Sequence, residues 1–212
     1  MIIKLLLLIC GLLSAASYAS FVSPLQVDLA EARRGFINVA NDGTEVALYE
    51  LAILEWGGDG VAKQIEDPES LMVMPSIARL EPGESQRFTI VSSVQQGEQV
   101  RGFRLVIKET KLQPSEGSVN LSISYNLPVY DWPTNSSSPD SRTAESVQCS
   151  VKDGDHILTN SSSYPIRVSS AYEGIVPLTN VILPGQILRA TDADLSSIDC
   201  KGLYEFIEPD PS

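Results

Sequence analysis

The chain has 212 residues, with 15 basic against 27 acidic side chains and a net charge of −12 at neutral pH. So acidic a surface repels nucleic acid, whose binding rests on Lys and Arg neutralising phosphates, and it disfavours anionic membranes. The apolar share is an ordinary 43%, so the chain is able to build a core and is not acidic disorder.

The N-terminus carries one positive residue, Lys4, ahead of a nearly unbroken apolar run over residues 5–13. Ser14-Ala15-Ala16-Ser17-Tyr18-Ala19 then places small residues at the −3 and −1 positions of a cut after Ala19. This predicts a cleavable secretory signal over residues 1–19. Cys10 lies inside the run and opens a lipid-anchored alternative, against which stands Ile9, where lipoprotein processing prefers a small residue. No later segment approaches the roughly twenty apolar residues of a membrane span, so no membrane insertion is expected after cleavage.

From there the sequence is punctuated like a β-protein. Phe36-Ile37-Asn38-Val39-Ala40 stops at the turn signal Asn41-Asp42-Gly43, and an apolar-rich run over 46–56 ends at Gly57-Gly58-Asp59-Gly60. Leu71-Met72-Val73-Met74, then 77–80, then Phe88-Thr89-Ile90-Val91 follow, with Glu81-Pro82-Gly83-Glu84 as a turn between the last two. Residues 103–109 and 119–130 read as a closing pair of strands. Short strands at this spacing predict an all-β, immunoglobulin-like sandwich over residues 20–132. Residues 133–144, rich in Ser, Pro, Asn and Asp, read as a linker.

Residues 145–212 read as a second, smaller β-domain, with strand runs at 147–151, 156–159, 166–168, 182–188 and 203–207. Roughly sixty residues is marginal for independent stability. Of the three cysteines, Cys10 leaves with the signal. Cys149 and Cys200 would form one disulfide in an exported protein, closing a loop of about fifty residues worth about 3–4 kcal/mol in the chain-entropy model; two buried thiols are the alternative.

The most informative segment is Val119-Asn120-Leu121-Ser122-Ile123-Ser124-Tyr125-Asn126-Leu127, which alternates strictly between apolar and polar. Period-two alternation puts Val119, Leu121, Ile123, Tyr125 and Leu127 on one face. Two readings follow: a sandwich strand with one face in its own core, or an edge strand offered to a partner's sheet. A long uncharged edge would otherwise be an aggregation hazard, and it would also let two copies of the chain pair weakly.

With these residues in view, the chain resembles the periplasmic chaperones of the chaperone–usher pilus pathway, in particular their archaic branch. The resemblance rests on Phe36-Ile37-Asn38-Val39-Ala40-Asn41-Asp42-Gly43, Tyr49-Glu50-Leu51 with Trp56, and Met74-Pro75-Ser76-Ile77-Ala78-Arg79-Leu80-Glu81-Pro82-Gly83-Glu84-Ser85-Gln86. Residues 103–109 and Tyr125-Asn126-Leu127-Pro128-Val129-Tyr130 continue it; Leu158-Thr159-Asn160-Ser161, Ile166-Arg167-Val168 and Leu183-Pro184-Gly185 fit more loosely.

The family implies two immunoglobulin-like domains in a boomerang arrangement, working in the periplasm. Its members donate a strand to pilus subunits that lack their final strand, and pass them to an outer-membrane usher without ATP. The segment over 119–127 occupies the donor position. The family also anchors the subunit's C-terminal carboxylate with basic side chains from its first strand and its donor strand. Here Pro24-Leu25-Gln26-Val27-Asp28 and Ile123-Ser124 carry no Lys or Arg, leaving Arg33, Arg104 and Lys108 as substitutes, or a chain without the anchor.

Nothing marks a catalytic site. His156, beside Asp153-Gly154-Asp155, reads as a turn residue, and neither a metal spacing nor a phosphate-cradling glycine loop appears, so no enzyme activity, metal or cofactor is expected. Asn120, Asn135 and Asn160 each open an Asn-x-Ser triplet, which a eukaryotic secretory host would treat as a glycan acceptor. The alternative function is a structural one, a pilin-like subunit or surface adhesion module. The weak alternation of residues 20–29 disfavours it, because a subunit would carry an alternating N-terminal extension.

Overall fold

A computed structural model describes residues 20–29, 32–56, 62–65, 70–93, 99–112, 122–133, 146–152, 155–168, 181–190 and 204–208. The signal over 1–19, most of the linker, and Val119, Leu121 and Cys200 lie outside them.

Ten strands form a first sandwich: β1 (Phe21–Ser23), β2 (Val27–Leu29), β3 (Arg34–Ala40), β4 (Ala47–Trp56), β5 (Ala62–Gln64), β6 (Leu71–Met74), β7 (Ile77–Leu80), β8 (Ser85–Ser92), β9 (Arg101–Lys111) and β10 (Ile123–Asp131). One sheet runs β1-β3-β8-β6; the other runs β2-β10-β9-β4-β5, with β7 also on β4. Alternation decides which side chains face inward. Ile37, Val39, Phe88 and Ile90 from the first sheet meet Tyr49, Leu105, Ile107 and Val129 from the second, all buried.

The two edges of this sandwich are built the same way. Ser23-Pro24 is a cis peptide between β1 and β2, and Met74-Pro75 is another between β6 and β7. At each, the chain leaves one sheet and joins the other. β1 pairs β3 while β2 pairs β10, and β6 pairs β8 while β7 pairs β4. Proline lacks the N–H a continuing ladder would need, which suits it to such a crossing.

Six further strands form the second unit: β11 (Val147–Lys152), β12 (Asp155–Asn160), β13 (Ile166–Val168), β14 (Val181–Ile182), β15 (Ile187–Ala190) and β16 (Tyr204–Phe206). They make sheets of order β11-β12-β15 and β14-β13-β16 around Val147, Leu158, Ile166, Val168 and Ile182. Two expectations are corrected here. The single run over 182–188 is broken by its own Pro-Gly turn into β14 and β15, which belong to different sheets. His156, read as a turn residue although it opens the strand run expected over 156–159, sits in β12, paired with Val151 and Ala190. Cys149, on β11, is disulfide-bonded.

Both units close with the same lock. Asn41, at the end of β3, donates from Nδ2 to the Glu45 carbonyl at 2.9 Å and the Leu80 carbonyl at 3.0 Å. Its backbone holds the Glu81-Pro82-Gly83-Glu84 turn: its N–H donates to Glu84 and its carbonyl accepts from Gly83. Asn160, at the end of β12, repeats this, donating to the Tyr164 carbonyl at 2.8 Å and the Ile182 carbonyl at 3.0 Å while gripping Leu183-Pro184-Gly185-Gln186. Gly83 and Gly185 have φ of 81° and 77°, the left-handed region that the third position of a Pro-Gly turn requires and that other residues enter only at a cost.

Candidate functional site

The feature that sets this sandwich apart from a closed one lies on β10. On one side β10 pairs with β9 along its whole length, from Ile123 opposite Glu109 to Asp131 opposite Arg101. On the other side, β2 covers only Val129, Tyr130 and Asp131. Because the crossing at Ser23-Pro24 carries β1 away to the opposite sheet, residues 123–128 have no second neighbour among the described residues. Their outward backbone groups are an open row of donors and acceptors, a template for another strand.

Side-chain burial changes along the same strand. Leu127 and Val129 are buried in the sandwich's own core, Tyr125 is half-buried, and Ile123 is 40% exposed. Ile123 is therefore where the alternating face runs past what its own core covers. Of the five apolar residues expected to be donated, Leu127 packs into this chain's own core. Tyr125 is held as well, its hydroxyl donating to the Ser20 carbonyl at 3.0 Å. Val119 and Leu121 lie outside the described residues.

The three basic residues fare differently. Arg33 is engaged away from the open edge: its Nε donates to the Ser92 carbonyl at 3.3 Å, its guanidinium also holds the Ser92 hydroxyl, and it pairs with Asp131 at 3.4 Å. Arg101 takes the same Asp131 oxygen at 2.7 Å. Arg104 and Lys108 both lie on the outer face of β9, opposite Pro128 and Ser124 of β10. Lys108 is exposed, one strand spacing from the open edge. Arg104 is 8% exposed and stacks over the Trp56 ring at 3.5 Å from its centroid. Burial pulls its guanidinium below the ordinary value, and Nη2 has no hydrogen-bond partner.

Around Arg104 runs an aromatic chain that joins the two units. Trp56 stacks with Tyr130 at 6.4 Å, Tyr130 meets Trp132 at 5.9 Å, and Trp132 meets Tyr164 of the second unit at 6.0 Å. Val100, Leu183 and Ile207 complete the junction. Burial pushes the Tyr130 phenol up to about 12, against the opposing pull of the Arg104 cation. The indole N–H of Trp132 donates to Asp28 at 2.7 Å, tying the junction to β2. Sequence reasoning missed this cluster, and the one signal for it was the pair of tryptophans closing β4 and following β10.

No protein-family model and no curated protein sequence matches the chain. Solved structures do match. A chain of the CsuC–CsuE chaperone–tip adhesion subunit pre-assembly complex, from archaic chaperone–usher Csu pili of Acinetobacter baumannii, superposes with a TM-score of 0.64 at 18% identity, over 90% of this chain and 98% of that one. A chain of the Salmonella enterica SafA pilin–SafB chaperone complex gives 0.64 at 14% identity, over 84% and 86%. The Escherichia coli chaperone DraB gives 0.59 at 16% identity, again over 84% and 86%. The chain thus has the two-unit β-sandwich fold found in the structures of pilus chaperones.

Proposed function

We propose that the protein is a periplasmic chaperone that binds pilus subunits by strand pairing along β10 and passes them to an outer-membrane usher. One observation carries this reading: the open edge at residues 123–128, left bare by the strand crossing at Ser23-Pro24, with an uncharged alternating sequence leading into it. A subunit short of one strand would add its sheet to that edge. The apolar side chains from Ile123 back through Leu121 and Val119 would fill its groove. Binding by pairing needs no cofactor and no chemical step, and the chain is read as a non-enzyme. In this reading the cationic donors nearest the edge are the Lys108 ammonium and the Arg104 guanidinium, whose buried Nη2 has no partner. They would take the place of the carboxylate anchor that Pro24-Leu25-Gln26-Val27-Asp28 and Ile123-Ser124 lack, while Arg33 is held by Asp131.

The neighbours of the same fold are chaperones or chaperone–subunit complexes, which does not favour the surface-module alternative. In this reading the chain is exported through its signal, cut after Ala19, and stapled in the second unit by Cys149 with Cys200. Hydrogen exchange tests it. Incubation with a sandwich subunit whose last strand has been deleted should slow exchange of the outward-facing amides within residues 123–127 by at least tenfold. It should leave the Val129–Asp131 amides, already covered by β2, unchanged. Protection appearing on β6 or the second unit instead would overturn the β10 assignment.

A further inference from the structure

Glu109 lies on β9 between Tyr49 of β4 and Ile123 of β10, and is only 7% exposed. Among the described residues its carboxylate has one polar side-chain contact, the Ser20 hydroxyl, which donates to Oε2 at 2.7 Å. None of the ion pairs formed there reaches it; Lys111, two residues along, pairs with Glu45. The other groups facing the site are hydroxyls. Tyr49 Oη is 2.7 Å from Ser20 Oγ, and the Tyr125 hydroxyl donates to the Ser20 carbonyl at 3.0 Å. Burial first, and the Glu109 charge after it, push the Tyr49 phenol up to about 12, so Tyr49 is neutral there.

A buried carboxylate without a cation is costly, and one hydroxyl is thin compensation. Cleavage at the predicted signal site would supply the cation. Hydrolysis of the Ala19–Ser20 peptide breaks the C–N bond; water gives its hydroxyl to the Ala19 carbonyl carbon and a proton to the Ser20 nitrogen. At neutral pH the freed amine takes up a further proton. That nitrogen is three covalent bonds from the Oγ already touching Glu109, so it lies about 3–4 Å from that oxygen and within about 6 Å of the carboxylate, close enough for a rotation of the new terminus to pair them.

We propose that Glu109 is the docking site for the α-ammonium of Ser20, so that removal of the signal completes the ionic pairing of the first sandwich. Ser20 then meets the fold through all three of its polar groups: ammonium to Glu109, hydroxyl between Glu109 and Tyr49, and carbonyl to Tyr125. The inference concerns the stability of this chain and stands apart from the strand-pairing function.

The test uses the mature chain, the same chain N-acetylated at Ser20, and Glu109→Gln in each, unfolded in urea after intact mass has established the N-terminus. In the mature chain Glu109→Gln should lower the folding constant about tenfold or more. In the acetylated chain it should cost nothing or stabilise, because it then removes an unpaired buried charge. Reductive methylation gives a second readout on folded protein, with the Ser20 amine reacting more slowly in the mature chain than in its Glu109→Gln variant. Equal costs of Glu109→Gln with and without the acetyl group, equal amine reactivity, or an exported chain beginning elsewhere than Ser20 would each overturn the proposal.

Discussion

Ile123→Asp is expected to weaken capture of a strand-deficient subunit by at least about a hundredfold while leaving the protein itself folded. The two halves of that expectation have separate physical causes. Binding loses the burial of an isoleucine side chain, about 1.5–3 kcal/mol, and gains a carboxylate that must be desolvated inside an apolar groove. Folding loses less, because Ile123 is 40% exposed at the end of its own sandwich's core, and the one added cost is the new carboxylate facing Glu109 across the β9–β10 pair, a cross-strand effect of about 1 kcal/mol. Affinity measured by titration against the truncated subunit, alongside urea unfolding of the variant alone, separates them. Undiminished capture by a folded variant would remove Ile123 from the paired surface. Leu127→Asp is the informative contrast: its target is 7% exposed in the core, so that variant should fail at folding first.

The second large effect is on stability alone. Asp131 is 4% exposed, and one of its oxygens accepts from Arg101 at 2.7 Å, from Ser92 at 3.2 Å and from Arg33 at 3.4 Å. This draws the ends of β9 and β10 onto the end of β8 and the approach to β3, across both sheets. Asp131→Ala leaves two guanidinium groups facing each other around an empty centre. Breaking one partner out of a buried pair typically costs about 3–5 kcal/mol. Arg101 is partly open to solvent, which favours the lower end. The shift in urea midpoint of the first unit reads this directly. A loss below about 1 kcal/mol would mean that the carboxylate is not the charge holding the two arginines together.

How much of this was legible follows from strand length. β3, β4, β8 and β9 each alternate long enough to announce which face is buried, and their sequence-predicted bounds agree with the structure to within a few residues. β1, β2 and β5 have three residues each, which allows one or two inward side chains and no visible period. Yet β1 and β2 decide where the open edge falls, because the crossing between them is a tertiary event that no local pattern encodes. The alternation over 119–127 was visible, but not the point at which it changes from serving its own core to standing free. That point depends on where the facing sheet ends. Nothing local marks Asp131 and Trp132, at the end of the predicted first domain, as buried; the structure buries both, since their partners lie far away in sequence at Arg33, Asp28 and Tyr164.

The asparagine lock of the second unit bears on how the protein is made. Asn160 opens the triplet Asn160-Ser161-Ser162, yet it is fully buried, and its Nδ2 holds the Tyr164 and Ile182 carbonyls. Ser162, the hydroxyl a glycosylating enzyme would also need, donates to Asn160 Oδ1 at 2.6 Å. Sugar and fold compete for the same nitrogen. A host that glycosylates during export would therefore be expected to release molecules whose second unit cannot shut, and peptide mapping should find sugar at Asn160 in the insoluble fraction and none in the folded one.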